Sequence, residues 1–173
     1  VLTYDSANRQ ITSVTWPSLL VTTNTYFTSG THKNWLQQTR DQHGATDFGT
    51  YQFTYTNGLV RSITDPRSLQ VTLGWDALER LTNAAFPNGS FKLTYAANKL
   101  DLAELEDRLG KKTKFSYDAL RRLERVIDPR NGTNTYSWCS CGGPEWFMDA
   151  LGRTTFYDYD QSGRLLWTQY PGR

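Results

Sequence analysis

Two cysteines and two histidines are the residues of this chain best suited to chemistry. The segment Trp138-Cys139-Ser140-Cys141-Gly142-Gly143 holds both thiols in one Gly-rich turn. That spacing supports three readings. A disulfide inside Cys-x-Cys is strained by the short separation. Two thiolates beside a turn supply half of a tetrahedral zinc site and need two more ligands. The bland reading is a turn variant with incidental thiols. An imidazole close by would instead make either cysteine a nucleophile for a hydrolase. His32 and His43 are the available imidazoles. The candidate catalytic set is therefore Cys139, Cys141, His32 and His43, and the candidate zinc set is Cys139, Cys141 and His32.

Charged pairs recur at a fixed offset. Asp5/Arg9, Asp76/Arg80, Asp118/Arg122 and Asp160/Arg164 share a four-residue spacing. An Asp can close its own turn by an Asx-type hydrogen bond, and the Arg can pair with it across a hairpin. Exposed pairs of this kind add little stability. A general acid or base is expected once, whereas these pairs are plural, so they read as turn chemistry.

These residues sit on a repeat. Tyr55, Trp75, Tyr95, Tyr117, Trp138 and Tyr159 are 20, 20, 22, 21 and 21 residues apart, and Tyr4 opens an earlier copy. A period in this range marks stacked small units. Each copy has a polar turn after the aromatic-Asp pair and a Pro/Asn/Gly cluster about ten residues later. Between them the sequence alternates. Thr113-Lys114-Phe115-Ser116-Tyr117 puts Phe115 and Tyr117 on one face and Lys114 and Ser116 on the other; Phe91 to Tyr95 and Gln52 to Tyr55 do the same. Alternation rich in aromatic and β-branched residues predicts half-buried strand. The best helical candidate, Asp101 to Leu109, reads as a variant hairpin. The fold class is therefore all-β: tandem β-hairpins of about 20–22 residues in an antiparallel strip, which sheet twist makes coil. A lone hairpin is marginal in water, so the units must share an apolar face.

The strip constrains the chemistry. His32 falls in a lengthened aromatic-Asp turn, and His43 in Asp41-Gln42-His43-Gly44, the opposite turn class. The two classes lie on opposite edges, so Cys139 shares an edge with His32 and not with His43. About ten strands, or roughly 48 Å when flat, separate His32 from Cys139. Tight coiling or a second chain would be needed to unite them. Two chains could equally pool their cysteines as a four-thiolate zinc site.

The tyrosine-aspartate pairs, Gly163-Arg164-Leu165 and the Asp128-Pro129-Arg130-Asn131-Gly132 turn resemble the YD repeats of bacterial RHS-repeat proteins. The resemblance is clear from Tyr55 onward and looser from Tyr4. It implies a spiral sheet building a hollow shell, as in RHS toxins and insecticidal toxin complexes, from a bacterial secreted or cell-surface parent. The chain then reads as one array of about seven to eight hairpins over 1–173, with irregular, insertion-bearing copies in 17–54. It is a structural segment whose partners are further YD repeats. Its start inside a repeat at Val1 and its end at Pro171-Gly172 read as a piece of a longer array.

Composition fits this reading. The 173 residues carry 14% aromatics and a net charge of +2 without a basic cluster, which argues against nucleic acid. No apolar run reaches the ~18 residues of a membrane span. Trp16, Trp35, Trp146 and Trp167 suit either packing or a carbohydrate face. An insertion of about four or five residues around Ala45 to Thr50 is expected to form a loop, with Asp41, His43 and Asp47 nearby. Unpaired terminal strands are expected to promote self-association.

Overall fold

The computed structural model describes residues 1–98 and 100–172. The chain divides into two compact units, Val1–Ser90 and Phe91–Arg173. The first contains β1 (Leu2–Asp5), β2 (Gln10–Thr15), β3 (Leu20–Tyr26), β4 (Leu36–His43), β5 (Thr46–Thr56), β6 (Leu59–Thr64), β7 (Gln70–Trp75) and β8 (Leu81–Phe86). Each pairs antiparallel with the next. The second contains β9 (Gly89–Tyr95) from Phe91 onward, then β10 (Leu102–Glu106), β11 (Lys112–Tyr117), β12 (Leu123–Ile127), β13 (Thr133–Trp138), β14 (Pro144–Met148), β15 (Thr154–Tyr159) and β16 (Leu165–Gln169). These too pair in sequence order. The fold is all-β and antiparallel, as the alternation predicts. In each unit, odd-to-even turns lie on one edge and even-to-odd turns on the other.

Alternation along a strand sets its two faces. In β11, Lys112, Lys114 and Ser116 are exposed while Thr113, Phe115 and Tyr117 are half-buried. The stretch Asp101 to Leu109 supplies β10, whose Glu104 and Glu106 face Lys114 and Lys112. Lys92 and Lys112 hold Glu106 and Glu104 at 2.8 Å each. A helix would scatter these opposite charges, whereas the strand lines them up across the ladder.

Every hairpin breaks register beside its aromatic. Tyr55 pairs with Val60 while Thr54 pairs with Ser62, so Arg61 is an extra residue in β6. The same bulge recurs at Thr12, Gln37, Thr82, Ala103, Glu124, Glu145 and Leu166. A bulge bends the strand and disrupts the local ladder. The aromatic tips act at these breaks. Tyr26 Oη donates to the Ile11 carbonyl (2.8 Å), Tyr55 Oη to Leu36 (2.7 Å), Trp75 Nε1 to Val60 (2.8 Å) and Trp138 Nε1 to Leu123 (2.7 Å). Each acceptor lies next to the bulge of the preceding hairpin. This explains a preference for Tyr and Trp over Phe at these positions: the ring covers apolar surface and its polar tip closes on the neighbour.

The insertion at Ala45 to Thr50 does not form a loop. It lengthens β5 to 11 residues, paired with β4 through a tight turn at Gly44-Ala45. Phe48 is squeezed out as a bulge between the pairs Asp41/Gly49 and Gln42/Asp47. Extending a ladder satisfies backbone groups that a loop would leave to water.

No described apolar side chain is fully buried; Ser62 and Asp101 are the buried residues among those described. Leu120, Leu151 and Leu166 stand open to solvent. A single sheet layer covers its apolar face only through neighbours in the same sheet, whereas a domain core needs a second layer.

Candidate functional site

One turn geometry is used on both edges of the hairpins. At Asp65, Asp76, Asp107, Asp118, Asp128, Asp149 and Asp160, the Asp N–H donates to the carbonyl four residues on. The Asp carbonyl accepts from the N–H three residues on. The carboxylate Oδ1 then accepts the N–H groups two and four residues on, as Asp160 does from Ser162 and Arg164 at 2.9 Å each. The fourth turn residue takes a left-handed backbone, with φ of 64° at Ser68, 60° at Glu79 and 74° at Gly163. The sequence presents two turn classes, one led by an aromatic-Asp pair and one by a Pro/Asn/Gly cluster; at these seven sites both classes adopt the same motif, whereas Gly44-Ala45 and Asn57-Gly58 make two-residue turns.

The second carboxylate oxygen recruits a cation. Asp76–Arg80 (2.6 Å), Asp118–Arg122 (2.7 Å) and Asp160–Arg164 (2.7 Å) form the pairs at four-residue spacing. Asp149–Arg153 adds another at 2.6 Å. Asp5 differs. Its carboxylate takes the Ala7 N–H and the Asn8 side-chain amide, both at 2.8 Å, in place of Arg9. Asn8 is shorter and already lies in the turn. These donors hold the carboxyls below the usual carboxylate range. The leading cause is the Arg side chain at Asp76 and Asp149, the Arg backbone N–H at Asp118 and Asp160, and Asn8 at Asp5. Such groups stay ionised and structural; none is poised to exchange protons near neutrality.

One ion pair was not visible from the four-residue spacing. Arg121 reaches Asp101 at 2.8 Å, and Asp101 is 8% exposed. The two are 20 residues apart where the local repeat, Tyr95 to Tyr117, is 22, so the pair is out of phase with the repeat and no sequence spacing marks it.

The cysteine turn is a copy of the aspartate turn. Cys139 N–H donates to Gly143 (3.0 Å), and Gly142 N–H donates to Cys139 (3.2 Å). Gly142 supplies the left-handed residue at φ 91°. Cys139 and Cys141 are joined as a disulfide. The expected strain does not follow from the spacing, because the turn brings the two Cα atoms to 5.2 Å, inside the ordinary span of a disulfide. With each sulfur bonded to the other, the reading of two free thiolates, on zinc or beside an imidazole, does not describe this form. Arg122 Nη1 donates to the Cys139 carbonyl at 3.2 Å, and its guanidinium carbon lies 5.7 Å from the Trp138 ring centre.

His32 and His43 belong to the first unit, and the cysteines to the second. His32 is packed among rings, 5.0 Å from Trp35, 5.8 Å from Tyr55 and 6.3 Å from Phe27. His43 is exposed at the far end of β4, beside the Gly44 turn. Asp41 accepts from Thr22 Oγ1 at 2.6 Å, and Asp47 pairs with Arg40 at 2.7 Å. Among the described residues, no three His, Cys, Asp or Glu side chains gather as metal ligands. Trp35 joins the ring cluster, and Trp16 donates to Thr22 at 3.2 Å. Trp146 pairs opposite Phe156, and Trp167 opposite Asp158.

The hairpin succession of this chain is one that solved structures share. Its fold is that of toxin-complex chains. It superposes on the TcdB2-TccC3 chain solved without its hypervariable C-terminal region with a TM-score of 0.77, over 97% of this chain and 10% of that one, at 11% identity. The TcdB2-TccC3-Cdc42 chain matches with a TM-score of 0.59 over 98% of this chain and 11% of that one, at 11% identity. The TcdB2-TccC3-TEV chain matches at 0.58 over 96% and 11%, at 14% identity. The chain thus spans about a tenth of the length of these neighbours. No family model and no curated protein matches it.

Proposed function

We propose that this chain is a structural wall segment of an RHS-type shell, and that its partners are further YD repeats joined strand edge to strand edge. The observation that carries this reading is the open apolar face. Hairpins are complete and turns are closed, yet no described apolar side chain is fully buried. Such a sheet suits a wall continued by its neighbours better than a free-standing catalyst. The outer backbone groups of β1 and β16 offer the template for that continuation. The toxin-complex fold and the tenfold greater length of the matching chains support it.

The test is association of the isolated chain. Multi-angle light scattering across a concentration series is expected to show growth from monomer to dimer and larger species. Placing a Lys or Pro in the middle of β1 and of β16 is expected to suppress that growth without loss of the β-sheet signal. A monomer that persists at high concentration and binds no apolar dye would overturn the reading.

A further inference from the structure

In the aspartate turns, two backbone N–H groups converge on one carboxylate oxygen. The corresponding N–H groups at the cysteine turn belong to Cys141 and Gly143. The backbone around them is the same, closed by the Cys139–Gly143 and Gly142–Cys139 hydrogen bonds at 3.0 and 3.2 Å. Cys139 therefore stands at the chain position whose side chain accepts these N–H groups in the other copies, and in the bridged form its sulfur is held by Cys141 instead. Successive N–H groups of this kind form an anion-binding concavity. Arg122, paired with Asp118 of its own turn, donates to the Cys139 carbonyl and so brings a guanidinium to the backbone of this turn. From the following hairpin the Tyr159 ring covers Gly143. Cys141, by contrast, is exposed, and Cys139 is half-buried.

We propose that the Cys139–Cys141 bridge is a thiol–disulfide exchange site, in which Cys141 is the sulfur attacked and Cys139 the thiolate released. A small thiolate of the glutathione class attacks Cys141 Sγ in line with the bridge. The S–S bond breaks, its electron pair goes to Cys139 Sγ, and a mixed disulfide forms on Cys141. A second small thiolate attacks the small-molecule sulfur of that mixed disulfide and releases Cys141, which takes a proton from water. Two thiols are oxidised to one small disulfide and the bridge is reduced by two electrons. Of the two protons the thiols lose, one ends on Cys141 and one in solvent, because Cys139 stays ionised. Leaving thiols of low pKa depart faster, and a stabilised thiolate makes its disulfide the more oxidising one. Hydrogen-bond donors and a nearby Arg lower a thiol's pKa. The reduced turn keeps its backbone hydrogen bonds and gains the anion that this turn elsewhere holds.

The experiment equilibrates the full chain in glutathione redox buffers of graded ratio at neutral pH. Free thiols are trapped by alkylation and counted by mass, for the folded chain and for the chain in concentrated urea. The bridge of the folded chain is expected to be reduced at least about tenfold more readily, roughly 30 mV for a two-electron couple. Thiolate absorbance of the reduced folded chain is expected to titrate below the free-thiol value near ~8.5. That titration should persist in Cys141→Ser and vanish in Cys139→Ser. Equal reducibility in the folded and unfolded chains would overturn the proposal, as would a low-titrating thiol that maps to Cys141. The comparison of folded with unfolded wild-type chain needs no variant, so it stands if either substitution impairs folding.

Discussion

Removing the hydroxyl of Tyr55 isolates the contact that ties one hairpin to the one before it. Tyr55 Oη donates to the Leu36 carbonyl at 2.7 Å, beside the bulge that ends the β3–β4 ladder. Its ring also stands edge-on to Trp35, with centres 4.8 Å apart. Tyr55→Phe keeps the ring and its packing and deletes the donor. Burial pushes the Tyr55 phenol above its ordinary pKa, so the group is neutral and donating throughout the working range. A net hydrogen bond between neutral groups contributes about 1 kcal/mol, and a carbonyl left short of a partner moves the cost toward the upper end, about 1.5 kcal/mol. For a chain of this length the expected fall in Tm is about 2–4 °C per kcal/mol. Circular dichroism melts would read it, with Tyr170→Phe as the control because Tyr170 is 60% exposed. Should Tyr55→Phe melt with the control, the tip hydrogen bond is incidental, and the choice of Tyr and Trp at the repeat needs another cause.

Gly143→Ala puts a Cβ 2.6 Å from the Tyr159 ring, a contact that backbone or ring must relieve. Overpacking of this kind costs about 1–3 kcal/mol, measurable by urea titration, and Tyr159→Ala in the same chain should recover part of the loss. Gly49→Ala drives its Cβ into Pro66 Cβ from a backbone at φ 92°, so it should destabilise the long β4–β5 hairpin, seen as faster amide exchange along β5. Lowered carboxyl pKa values at Asp65, Asp76, Asp118, Asp149 and Asp160 give a definite sign for acid. Their stabilisation is complete above the unfolded carboxylate value of 3.8 and is lost as pH falls through the lower folded values. Thermal midpoints should therefore hold steady from neutrality to about pH 5 and drop below about pH 4; a midpoint unchanged under strong acid would refute this. Cys139→Asp rebuilds the common turn without a bridge, and its hairpin should fold with a β-sheet spectrum like that of the parent chain.

Most of the architecture was legible because the repeat states it many times. Alternation over Lys112 to Tyr117 fixes the faces of β11, and the aromatic period fixes the hairpin length. The shared turn was less plain. Asp107, Asp118, Asp128, Cys139, Asp149 and Asp160 lie 11, 10, 11, 10 and 11 residues apart, a half-period hidden because the residues after each differ between edges. The bulges were invisible, since an extra residue such as Arg61 or Glu124 carries no distinctive side chain. The insertion at 45–50 misled for a related reason: added residues with strand propensity extend a ladder as readily as they make a loop. At the cysteines, sequence separation was a poor guide to reach. A turn folds residues two apart into bonding range, which a strand would not allow.

The aromatic tips give the hairpins a direction. Tyr26 closes on Ile11, Tyr55 on Leu36, Trp75 on Val60 and Trp138 on Leu123, each time toward the N-terminus. A latch in this sense needs only chain that has already been made. During synthesis, each of these four hairpins can fasten to its predecessor as soon as its aromatic has emerged, before the next hairpin exists. Where the latch is present, synthesis from the N-terminus works as a ratchet, and the newest hairpin there leaves only its own edge as unlatched template.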